Sequence, residues 1–132
     1  MLLTSPRLLA PLWTLAILVG LTLPGSQLPD SFLLEYDKII HGLLFFVLTL
    51  LWLAAFSRAK WGSALAVFTV ILAFSVLSEL YQAWLPFGRH ADFLDSAADA
   101  FGALIGLGVW IPLRHHLESW AERGRKASVQ KR

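Results

Sequence analysis

Residues 63–85 read SALAVFTVILAFSVLSELYQAWL. The stretch is close to the roughly 20 apolar residues that a helix needs to cross a hydrocarbon core about 30 Å thick. Its second half nevertheless carries Ser75, Ser78, Glu79 and Gln82 at spacings of three and four, which places them on one helical face. An ionisable group at the centre of a membrane helix costs about 2.5–3.5 kcal/mol on insertion scales, so such groups are usually retained for function. The segment therefore reads as a transmembrane helix with a working end. The polar run continues beyond it through Arg89, His90, Asp92, Asp95 and Asp99, then meets Gly102 and Gly106.

Composition agrees with a membrane setting. Of 132 residues, 57% are hydrophobic and only 15% charged, and the mean hydropathy of +0.64 exceeds what a small soluble core requires. There is no cysteine, which removes disulfides, thiolate nucleophiles and cysteine-ligated metals. Three further apolar stretches, at about 8–23, 39–56 and 97–113, complete an expected all-α integral membrane bundle of four helices. The first and last are short, and Pro11 suits a first turn better than a helix interior. Residues 1–26 also fit a secretory signal, with Arg7 ahead of a short apolar run, but no Ala-x-Ala-like site follows. Retention as a span is the expectation.

Lysine and arginine set the orientation. Arg7, Arg58, Lys60, Arg114, Arg123, Arg125, Lys126, Lys131 and Arg132 fall at the N-terminus, in the second loop and in the tail, and only Lys38 and Arg89 fall on the other side. Cytoplasmic loops carry this excess, so both termini are expected inside (N-in/C-in). Trp84 then suits the outer interface, and Trp61 and Trp110 the inner one. The orientation gathers Asp37, Lys38 and His41 of the second span, Glu79 and Gln82 of the third, and Arg89, Asp92, Asp95 and Asp99 at the start of the fourth toward the outer, extracytoplasmic face. Three segments far apart in sequence thus place their polar groups at one depth, as a single site requires. Gly102 and Gly106 would let another helix approach closely, either within the chain or in a homodimer.

The joint pattern Asp37-Lys38-x-x-His41, Ser78-Glu79-x-x-Gln82, Arg89 with Asp95 six residues on, position 99, Gly102 and Gly106 resembles the VanZ-like family of small multi-span membrane proteins, over about residues 36–113. One departure matters: the family usually has Asn where this chain has Asp99, which adds a negative charge and leaves no neutral amide there. The resemblance implies a four-span domain over residues 1–113 with a basic cytoplasmic tail, 114–132, in a bacterial cytoplasmic (inner) membrane. It also implies a link to the cell envelope, through the family's association with susceptibility to the glycopeptide-class antibiotic teicoplanin. It implies no reaction.

The residues leave several chemistries open. The favoured one is recognition of an anionic envelope lipid or a polyprenyl-phosphate-linked precursor. Lys38 and Arg89 would grip the anion, His41, Glu79 and Gln82 would orient it, and Asp37, Asp95 and Asp99 would complete the ligand-binding set. The alternative is an enzyme acting on a lipid headgroup with His41 and Glu79 as acid and base; no nucleophile motif is present, so whether the chain is an enzyme stays open. A divalent cation is a variant, held by ligands from His41, His90, Glu79, Asp92, Asp95 and Asp99; carboxylates without cysteine favour a hard cation such as Mg²⁺ or Ca²⁺, or zinc if both histidines join. A purely structural role would pair Asp37 with Lys38, Glu79 with Arg89 and His41 with Gln82, and would leave Asp92 to cap the fourth helix. A transporter should line both halves of its spans with polar groups, and the inner halves here are apolar. The basic tail needs no nucleic acid to explain it, since membrane attachment suffices.

Overall fold

The computed structural model describes residues 5–22, 30–56, 61–86 and 92–129. Among these the chain is all-helical: α1 (Pro6–Leu21), α2 (Asp30–Ala55), α3 (Trp61–Trp84) and α4 (Phe93–Val129). Three are long and apolar enough to cross a membrane, over Tyr36–Ala55, Gly62–Trp84 and Phe93–Lys126, while α1 is a shorter apolar helix. These three membrane-length helices make this a multi-pass membrane protein. Arg58 and Lys60, on which the orientation argument partly rests, lie outside the described residues, as do Lys131 and Arg132.

Pro6, not Pro11, begins α1, where its missing N–H is no loss; Pro11 lies inside the helix. Proline likewise fails to end α4, which passes through Pro112 and carries the basic tail on as helix to Val129.

Helix α2 is the centre of the bundle. It packs most extensively on α4, then on α1, while α1 barely meets α3. Two indole donors fasten α1 to α2: Trp13 Nε1 to the Leu44 carbonyl and Trp52 Nε1 to Thr14 Oγ1, each at 3.1 Å. In lipid, where apolar faces gain little from meeting one another, such bonds and close packing hold helices together.

The α2–α4 contact is set by glycine. A Cβ on Gly102 would run into the backbone carbonyl of Gly42, and one on Gly106 would lie 3.0 Å from the Phe46 carbonyl oxygen and from Thr49 Cβ. Gly102 and Gly106 therefore serve packing within the chain. Below that contact, Phe45, Leu48, Ile71 and Ala103 form a buried apolar core with Ile17 and Leu21 of α1. Trp110 sits in a second cluster with Leu53 and Ala64 near the other end. It is a packing residue rather than the interface anchor its position suggested, whereas Trp84 is 80% exposed.

Candidate functional site

Because Gly42 and Gly102 touch, the residue before the first and the residue one turn before the second are brought together. His41 Nδ1 lies 3.0 Å from Asp99 Oδ1. Ser75, facing them from α3, donates its hydroxyl to the other oxygen, Asp99 Oδ2, at 2.8 Å. Asp99 is wholly buried, and His41 and Ser75 nearly so. With both oxygens of Asp99 committed, the imidazole is held in one orientation, and an ionised Asp99 requires the proton on Nδ1. Nε2 then faces Asp37 on its own helix, whose Oδ1 is 3.9 Å away. Sequence reading placed Ser75 on this face but gave it no partner; its four-residue spacing from Glu79 was the available signal.

Glu79 lies one turn further along α3 and is 4% exposed. Its Oε2 accepts the backbone N–H of Asp92 at 3.0 Å, while among the described residues its Oε1 has no hydrogen-bond partner, and neither does Nε2 of Gln82, which is 2% exposed. Buried polar atoms without partners cost about 1–3 kcal/mol each, so two in one cluster call for an explanation.

Asp92 opens α4. Its carboxylate accepts the Leu94 N–H at 2.8 Å and its carbonyl accepts from Asp95 and Ser96, as a residue preceding a helix should. In a capping box the third helical residue would reach back to the cap's own N–H. Here Glu79 of a different helix does so, and Asp95 turns instead to Lys38. Lys38 Nζ lies 2.8 Å from Asp95 Oδ1 and 3.0 Å from Asp92 Oδ2. The Leu94 amide, and after it the Lys38 ammonium, hold the Asp92 carboxyl below the ordinary carboxylate range.

The pairings that a purely structural role would use are thus redistributed. Lys38 pairs across to α4 rather than with adjacent Asp37, His41 pairs with Asp99 rather than Gln82, and Asp95 and Asp99 serve Lys38 and His41. Arg89 and His90 lie outside the described residues. Asp37, Lys38, His41, Glu79, Gln82, Asp95 and Asp99 do gather at one end of the bundle, and they form two layers. The outer layer is Lys38 with Asp92 and Asp95; the inner one is His41, Asp99, Ser75, Glu79 and Gln82.

The described groups are acidic on balance, with Asp37, Glu79, Asp92, Asp95 and Asp99 against Lys38 and His41. Ligand atoms of His41, Glu79 and Asp99, all buried, lie within 4.8 Å of one another, and those of Asp37, His41 and Asp95 do likewise. The first of these sets has a geometry compatible with a divalent cation.

A family model described as VanZ/LLP1 matches residues 7–114. The chain belongs to the VanZ/LLP1 family. The matched region takes in α1 as well as the three long helices, a wider span than the motif residues alone suggested. No curated protein and no solved structure gives a match. Within this VanZ/LLP1 chain, the chemistry has to come from the site.

Proposed function

We propose that the chain is a membrane-embedded enzyme acting on the headgroup of a lipid, with His41 and Glu79 at its reaction centre and Asp99 fixing His41. The observation that supports this most is Glu79 Oε1, buried without a partner among the described residues in a cluster where Asp99, braced by Ser75, holds the His41 imidazole. Ser75 and Ser78 donate their hydroxyls to Asp99 and to the Ser75 carbonyl, the latter at 2.7 Å. The nucleophile in this proposal is water, which gives its proton to the cluster as it attacks the headgroup ester and the ester's alcohol leaves.

A lipid substrate is supported by a groove of about 440 Å³ that starts at Lys38 and passes Leu43, Phe46, Gly102 and Phe101 to Ile105. One hydrocarbon chain could lie there with its headgroup at the polar end. Orientation with both termini in the cytoplasm and the site extracytoplasmic belongs to this proposal, on the bias of lysine and arginine, as do the bacterial inner membrane and the envelope setting. An envelope lipid such as a polyprenyl-phosphate-linked precursor is then the substrate class to try first. Simple anion binding by Lys38 is less well supported, because its ammonium already bonds two aspartates.

The test compares lipid extracts, by mass spectrometry, from membranes holding equal amounts of wild type, Glu79→Gln and His41→Gln. A headgroup species converted by wild type and left unconverted by both variants is expected. Identical lipid profiles in all three would overturn the enzymatic reading.

A further inference from the structure

We infer that the inner layer is a binding site for one divalent cation of the zinc class, held by His41, Glu79 and Asp99. The inference rests on reading the inner layer as the reaction centre, and it supplies what that reading lacks: a way for an acidic pocket to receive an anionic headgroup.

Three observations converge. The ligand atoms of these three residues are mutually within 4.8 Å and come from three different helices, so the cage is fixed by the bundle rather than by a mobile loop. His41 Nδ1 and Asp99 Oδ1 are 3.0 Å apart. With metal–ligand bonds of ~2.1 Å, neighbouring ligands on one ion stand roughly 3.0–3.4 Å apart, so an ion can take the place of the proton between them with little movement. Among the described residues Glu79 Oε1 has no partner although Glu79 is only 4% exposed, and a cation would satisfy it. The bare Nε2 of Gln82, one turn away, is independent of the carboxylates. It can donate only to an acceptor that the described protein does not provide, such as an oxygen bound to the ion.

The donor set selects the metal. One imidazole with two carboxylates and no thiolate suits zinc or its first-row neighbours better than calcium, which takes six to eight oxygens. Three protein ligands leave positions open for water and substrate, as catalytic zinc sites do. Ser75, bonded to Asp99 Oδ2, holds that ligand from behind, the arrangement that typically carries a 10–100-fold effect on metal affinity. The outer layer is unsuited to an ion because Lys38 already occupies Asp95 and Asp92.

The test uses the full chain, free of any histidine tag, purified in detergent and stripped of metal. Zinc is titrated in and the bound ion measured by elemental analysis after desalting. One zinc per chain is expected for wild type. Glu79→Gln and Asp99→Asn should lose it, and Ser75→Ala should bind roughly 10–100-fold more weakly, with helicity by circular dichroism unchanged. Absence of bound zinc in wild type, or wild-type binding in Glu79→Gln or Asp99→Asn, would overturn the inference. The enzymatic reading fails separately: zinc bound without lipid conversion sinks the reaction and keeps the ion, while conversion that survives a chelator sinks the ion and keeps the reaction.

Discussion

The outer and inner layers of the polar end lie within one helical turn of each other and follow opposite rules. In the outer layer each charge has a partner: Lys38 binds Asp92 and Asp95, and Asp92 also caps α4. Its lysine and one of its aspartates are nearly half exposed. In the inner layer the groups are buried, and two atoms, Glu79 Oε1 and Gln82 Nε2, have no partner among the described residues. Satisfied, half-exposed pairs staple helix ends; buried groups with an open valence are costly and so mark function. Glu79 connects the layers, spending one oxygen on the start of α4 and keeping the other free.

The largest effect should follow removal of the hub of the inner layer. Asp99→Ala strips His41 and Ser75 of their acceptor, and breaking a buried pair from one side costs about 3–5 kcal/mol. A marked fall in thermal stability in detergent is expected, together with loss of lipid conversion. A stable Asp99→Ala protein would show that the inner layer is not held as described. Glu79→Gln sharpens the comparison, because its amide oxygen can still accept the Asp92 N–H. Stability should move by no more than about 1 kcal/mol, as for one neutral hydrogen bond, while turnover falls by at least about 10²-fold, whether Glu79 moves a proton or holds an ion. Equal losses of stability and activity would make Glu79 a structural residue.

Much of this arrangement was legible in the sequence because hydropathy and helical periodicity are local signals. They placed four apolar segments, and they put Ser75, Ser78, Glu79 and Gln82 on one face. The pairing partners were not legible. Asp37 and Lys38 are adjacent on a helix and so point in different directions, and Lys38 instead finds α4. His41 meets Asp99 because Gly42 and Gly102 touch, and that register between two helices is set by packing, which one sequence does not display. Gly102-x-x-x-Gly106 announced a close approach without naming the helix approached. The same limit applies to Trp110, whose burial against Leu53 and Ala64 depends on which face of α4 turns inward.

The outer layer should yield smaller effects. Lys38→Met removes a pair of bonds at a side chain that is 46% exposed, where ion pairs are worth about 1 kcal/mol or less. Lipid conversion should persist in the variant if the enzymatic reading holds. Its abolition, with stability intact, would return Lys38 to the role of a residue that grips the anionic headgroup of the substrate.

The smallest expected effect is one of pH, and it isolates Asp92. The folded protein holds its carboxyl below the ordinary range, so the group adds stability above its unfolded pKa of about 3.9, and that contribution disappears as the pH falls through the lower folded value. Asp92→Asn keeps a side chain able to cap α4 but ends the attraction to Lys38. Wild type should therefore melt slightly higher than Asp92→Asn at pH 7, and the gap should begin to narrow below about pH 4 and close only below the lower folded value, where the wild-type carboxyl is itself neutralised. A gap that persists unchanged in acid would mean that Asp92 acts through its hydrogen bonds alone, which would leave Asp95 as the only charge in the outer layer that holds Lys38.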